Sequence, residues 1–121
     1  MSSVVERTDF VSVFTQDIQR AKEFYAGTLG LEIESEGESD LEFRCGQVTL
    51  DVFDPSSIGQ QFAVSPAGLA LRVSDVDAVR AELEAKGVQF DGETVQTGVC
   101  RMAFFKDPDG NALLLHRRFD A

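Results

Sequence analysis

The sequence predicts an α+β fold built from two tandem β-α-β-β-β modules, and three observations carry that prediction. The first is a repeat: Asp17 corresponds to Asp75, Ile18 to Val76, Ala21 to Val79, and Gly30-Leu31-Glu32-Ile33 to Gly87-Val88-Gln89-Phe90. Unrelated halves rarely agree at a cap, a stripe and a stop together. The second is a change of period within each half, from strand alternation to helical spacings of three and four. The third is the turn Asp107-Pro108-Asp109-Gly110-Asn111 followed by the apolar run Ala112-Leu113-Leu114-Leu115. Proline fixes φ, Asp and Asn bond their own backbone, and glycine supplies a positive φ, so this pentapeptide reverses the chain between two strands.

Taken in order, Asp9 to Thr15 alternate as a strand, with Val11 and Val13 on one face and Phe10, Ser12 and Phe14 on the other. Thr15 or Asp17 caps a helix running to about Thr28, whose stripe is Ile18, Ala21, Phe24 or Tyr25, and Leu29; Gly30 stops it. Leu31 to Ser35 is a short strand, followed by the acidic turn Glu36 to Asp40. Leu41 to Arg44 and Val48 to Phe53 form a hairpin about Cys45-Gly46-Gln47. Asp54 to Pro66, with two prolines and Gly59, connects the halves. Gly68 to Asp75 is a strand into a cap, and Ser74-x-x-Asp77 has the form of a capping box. Val76, Val79 and Leu83 form the second helical stripe, and Gly87 ends it. Gly98 to Phe105 and Ala112 to His116 supply the last hairpin. The expected organisation is a single domain over 1–121, with module one at about 7–54, the connection at about 55–66 and module two at about 67–118.

Size and charge bound the function. A chain of 121 residues buries a core without disulfides or metal as staples. No run of 18 apolar residues exists, and Met1 to Arg7 lacks the features of a signal peptide, so a cytoplasmic protein without a membrane partner is expected. With 21 acidic against 11 basic residues and a net charge of −10, no nucleic-acid partner is expected. The acidic balance serves solubility, or sets up a field that attracts cationic ligands. Cys45 and Cys100 have no metal or redox spacing and read as buried thiols, or as a pair that meets in the fold.

The chain resembles the vicinal oxygen chelate superfamily, which includes glyoxalase I, extradiol dioxygenases, and bleomycin and fosfomycin resistance proteins. The resemblance rests on Asp9-Phe10-Val11-Ser12-Val13 entering a helix that ends Phe24-Tyr25-x-x-x-Leu29-Gly30-Leu31. It continues through the second strand and helix to Phe105-Lys106-Asp107-Pro108-Asp109-Gly110-Asn111. It implies mixed sheets curled around a cavity, and a homodimer, since modules of that family often complete their site across two chains. Family members that use a metal place His or Glu at four points, which fall here on Phe10, Asp51, Gly68 and Leu114. Only Asp51 can bind a cation, and a divalent ion needs three or four protein donors. No metal and no cofactor is expected.

If those four positions face a cavity, alternation extends the inward set to Phe10, Ser12 and Phe14; Thr49, Asp51 and Phe53; Gly68, Ala70 and Arg72; and Leu114 and His116. Phe43 and Met102 or Phe104 complete the wall. An aromatic-rich pocket with few polar groups has the composition of a small-molecule site; the alternative is that these side chains pack together and fill it. Asp51 pairs with Arg72 as a structural ion pair, or the two orient a ligand. His116, the only histidine, is a structural side chain or a ligand-contacting base. The expected function is metal-independent binding of a small organic molecule, cationic or aromatic, as in drug sequestration. The alternative is an enzyme, of lyase, isomerase or dioxygenase type, with Asp51 or His116 as acid-base group, acting without metal or with one completed by a partner chain.

Overall fold

The computed structural model describes residues 3–120. Its chain divides into two compact units between Phe62 and Ala63. In the first, β1 (Phe10–Phe14) is followed by α1 (Ile18–Lys22), which widens into a π-helical stretch over Glu23–Thr28. Then come β2 (Glu32–Glu36), β3 (Asp40–Cys45) and β4 (Val48–Phe53). The sheet order is β1-β4-β3-β2, with β1 parallel to β4 and the other pairs antiparallel. The second unit repeats this plan with β5 (Leu69–Arg72), α2 (Val76–Ala85), β6 (Val95–Gln96), β7 (Cys100–Lys106) and β8 (Ala112–Arg118). Its order is β5-β8-β7-β6, again with one parallel pair, β5 and β8. Two mixed four-stranded sheets, each with its helix, are the tandem α+β modules that the repeat implies.

Both helices begin at an aspartate whose side chain accepts from the third backbone N–H beyond it: Asp17 from Arg20 at 3.0 Å and Asp75 from Ala78 at 3.0 Å. Thr15 supports the first cap by accepting from the Asp17 N–H at 3.1 Å. The capping box expected at Ser74 does not form. Asp75 takes the cap, and Asp77 is held by the Arg101 guanidinium at 2.9 Å. Gly30 and Gly87 follow the helices at φ of 76° and 95°, a region that excludes most side chains.

Each helix covers one face of its own sheet, α1 against β3 and β4, α2 against β7 and β8. Ala21, Phe24, Tyr25, Leu41, Phe43, Leu50 and Val52 are buried in the first unit; Val76, Leu83, Ala103, Phe105, Leu113 and Leu115 are buried in the second. The Tyr25 ring meets Phe24 edge-on at 5.2 Å and Phe43 at 5.7 Å. Each large apolar side chain so buried contributes about 1.5–3 kcal/mol.

The sequence echo at Val88-Gln89-Phe90 does not become a strand. Phe90 makes one isolated bridge to Phe105, and the pairing strand β6 comes later, at Val95–Gln96. Arg80 accounts for the detour. Its guanidinium lies 4.8 Å from the centre of the Phe90 ring and donates to the Gly92 carbonyl at 3.0 Å and to Thr94 Oγ1 at 2.9 Å, fixing this segment to α2.

The turn Asp107 to Asn111 is tied as its composition requires. Asp107 Oδ1 accepts from the Asp109 and Asn111 backbone N–H groups, each at 2.9 Å, and Gly110 N–H donates to the Asp107 carbonyl at 3.0 Å. Asn111, fully buried, donates from Nδ2 to Asp107 Oδ2 at 2.8 Å and accepts from Ser65 N–H at 2.8 Å. The turn thereby also anchors the segment leading to β5. Both cysteines are free; Cys100 is buried, but Cys45 is only half-buried because it ends β3 beside the Gly46-Gln47 turn. Among the described residues no helix is long and apolar enough to cross a membrane.

Candidate functional site

Because strands alternate their side chains, the face of each sheet away from its helix is fixed by register. In the first unit that open face carries Phe10 beside Thr49, Ser12 beside Asp51, and Phe14 beside Phe53. The Phe14 and Phe53 rings lie 6.3 Å apart, while Phe10 is 58% exposed. A groove of about 300 Å³ at the Phe10 end is lined also by Arg7, Asp9, Glu42, Gln47 and Thr49.

Phe43 does not belong to this face. Cys45 pairs with Val48, so the β3–β4 turn is the two residues Gly46 and Gln47, and Phe43 falls opposite Leu50 rather than Thr49. A three-residue turn would have put Phe43 on the open side; shortening it by one turns the whole strand over. Phe43 is fully buried against Tyr25, and the open side of β3 presents Asp40, Glu42 and Arg44 instead. The sequence signal for this acidic row was the alternation Asp40-Leu41-Glu42-Phe43-Arg44, read with the wrong turn length.

Asp51, on β4, is the register partner of Glu42 in the middle of that row. Its Oδ2 accepts from Ser12 Oγ at 3.1 Å, whereas its buried Oδ1 has no hydrogen-bond partner among the described residues. Burial pushes the Asp51 carboxyl above the ordinary carboxylate range; the Ser12 bond opposes this, and the neighbouring Asp40 and Glu42 charges add to it. Thr49 donates to Glu34 Oε1 at 3.0 Å, and Arg44 lies 3.7 Å and 3.6 Å from the Glu32 and Glu34 carboxylates.

In the second unit the open face carries two rows. Ala70, Leu114 and Phe104 are register partners in one, and Arg72, His116, Met102 and Val95 in the other. Both Met102 and Phe104 therefore stand on the side of Leu114 and His116. The sequence-predicted residues thus gather as Phe10, Ser12, Phe14, Thr49, Asp51 and Phe53 on one sheet and Ala70, Arg72, Met102, Phe104, Leu114 and His116 on the other. Gly68 precedes β5, and a Cβ built there would lie 2.8 Å from Leu114 Cδ2. Leu114, only 8% exposed, occupies the space that a longer side chain at position 68 would need.

Of the four positions that the resemblance assigns to metal ligands, only Asp51 carries a donor side chain. In the first unit Phe10, opposite Thr49, offers no donor, and Asp51 stands beside Ser12; in the second Gly68 and Leu114 offer none and lie against each other. Among the described residues no three His, Cys, Asp or Glu side chains are grouped to hold an ion. The donor set does not fit a divalent metal.

Two mixed sheets of β-α-β-β-β plan, with their open faces lined by aromatic and a few polar side chains, define a class of small-molecule proteins built on repeated modules. The chain belongs to the Glyoxalase/Bleomycin resistance protein/Dioxygenase superfamily, whose family model matches residues 7–115. It is 28% identical over 129 residues to the uncharacterized protein YaeR of Escherichia coli (strain K12), covering 94% of this chain and 98% of YaeR. Among solved structures it is similar to TnmS3, an antibiotic binding protein from Streptomyces sp. CB03234, with 30% identity, a TM-score of 0.80, and coverage of 97% and 99% of the two chains. Lactoylglutathione lyase from Agrobacterium tumefaciens shares the fold, with a TM-score of 0.80 at 20% identity and coverage of 94% and 95%.

Proposed function

We propose that this chain is a metal-independent small-molecule-binding protein, which takes an organic ligand on the open faces of its sheets and releases it unaltered. The observation that supports the reading is the close approach of Leu114 to Gly68, together with Phe10 opposite Thr49: three of the four positions that the resemblance assigns to metal ligands carry no donor side chain. What remains is an apolar lining with few polar groups, the composition of a binding site. On the first unit's face the Phe10, Phe14 and Phe53 rings favour an aromatic ligand, and Asp51, Asp40 and Glu42 favour cationic substituents on it. The similarity to an antibiotic binding protein supports the same reading. We further propose a cytoplasmic homodimer, which sedimentation velocity over a concentration series tests; a monomer at every concentration contradicts it.

A second reading is favoured by one feature, the buried, unpartnered Asp51 Oδ1 on a carboxyl whose proton is held more tightly than usual. Such a group suits a general acid. The two readings separate in one experiment: chelator-treated protein is screened against aromatic amines, acids and neutral compounds by thermal shift, and each hit is followed by mass spectrometry. Hits recovered unchanged support binding. A hit converted to product, with conversion lost in Asp51→Asn, supports catalysis.

A further inference from the structure

The two open faces differ in charge, and the second unit's face carries its cations where apolar groups surround them. Arg72 and His116 are register partners on the parallel pair β5 and β8, so their side chains leave the sheet on the same side. Neither side chain has a hydrogen bond or ion pair among the described residues. The other cations of that face are committed elsewhere, Lys106 toward Asp91 at 3.9 Å and Arg118 toward Asp120 at 3.2 Å. No acidic side chain lies in the two rows, whose remaining members are Ala70, Leu114, Phe104, Met102 and Val95. In a chain of net charge −10, an arginine left without a carboxylate on an apolar face is a position where an anion is missing.

We infer that Arg72 and His116 bind the carboxylate of a ligand whose aromatic ring rests on Phe104 and Met102. This rests on the small-molecule reading above and names the ligand class for the second unit. A guanidinium offers two parallel N–H donors matched to the two oxygens of a carboxylate, and the adjacent imidazole can donate a further hydrogen bond. The half-buried Phe104 and Met102 next to the pair take the ring. The first unit's face cannot do this, since Asp40, Glu42 and Asp51 repel an anion there.

The test is an NMR titration of the full-length protein with three probes of one ring size: 2-naphthoate, 2-naphthamide and 2-naphthylmethylamine. The expected result is that naphthoate binds at least tenfold more tightly than naphthamide, shifting the amides of Ala70, Arg72, Leu114 and His116. Arg72→Gln, at an exposed position, removes that advantage; Arg72→Lys keeps part of it. Equal affinities for acid and amide, or an advantage that survives Arg72→Gln, overturn the anion assignment while leaving the binding reading in place. If none of the three probes perturbs either open face, both fall.

Discussion

Replacing Asn111 by alanine tests how much of this fold hangs on one turn. Asn111 is fully buried and makes two side-chain hydrogen bonds at 2.8 Å, donating to the Asp107 carboxylate and accepting from the Ser65 backbone. Alanine removes both. A bond to a charged group is worth about 1.5–3 kcal/mol and a neutral one about 0.5–1.5 kcal/mol, so the expected loss is about 2–4 kcal/mol. With a urea slope of about 1.5 kcal/mol per molar, the midpoint falls by roughly 1.5–2.5 M at unchanged slope. Equilibrium unfolding followed by circular dichroism reads this directly. Asn111→Asp sets a second carboxylate against Asp107 Oδ2 and should cost more than alanine at neutral pH. A loss below about 1 kcal/mol for Asn111→Ala, or an aspartate variant as stable as wild type, refutes the assignment of the turn as the anchor of β8 and of the segment before β5.

Other perturbations read other parts of the structure. Asp51 holds its proton more tightly folded than unfolded, so its contribution to stability is full below the ordinary carboxylate pKa and is lost as pH rises through the raised one. Asp51→Asn should therefore be more stable than wild type at pH 7, by a few tenths of a kcal/mol for a half-buried group, with the difference closing below about pH 4; thermal melts across pH check the sign. Leu114→Ala empties the space over Gly68 and should cost about 2–3 kcal/mol, since Leu114 is 8% exposed; urea unfolding measures it. Arg80→Ala loses the stacking on Phe90, the hydrogen bonds to Gly92 and Thr94 and the long contact with Glu84, for about 1–2 kcal/mol, with faster amide exchange over residues 90–96 than in wild type.

The parts legible in the sequence are those set by local chemistry. Asp17 and Asp75 cap because a short carboxylate reaches the third N–H beyond it, and the Asp107 to Asn111 turn forms because each residue satisfies its neighbours. The alternation of β1 and β4 likewise placed the first unit's candidates, Phe43 apart, on one open face, and that of β5, β7 and β8 placed the second unit's candidates on its own. Phe43 was not legible because its face depends on a turn length, and Cys45 could sit in the turn or in the strand with equal local preference. The missing strand at Val88 to Phe90 failed for a different reason. Its composition matches Leu31 to Ile33, but Arg80, fourteen residues before Thr94, overrides the local pattern by a tertiary contact. Met102 and Phe104, offered as alternatives, share the open face of β7, whereas the acidic row at Asp40 and Glu42 became meaningful only once the β3 register was known.

Binding without metal is tested by a calorimetric titration of chelator-treated protein with its tightest aromatic ligand, repeated with equimolar zinc present. The expected result is the same affinity in both titrations and an unchanged ligand recovered at the end. An affinity that appears only with zinc would contradict it.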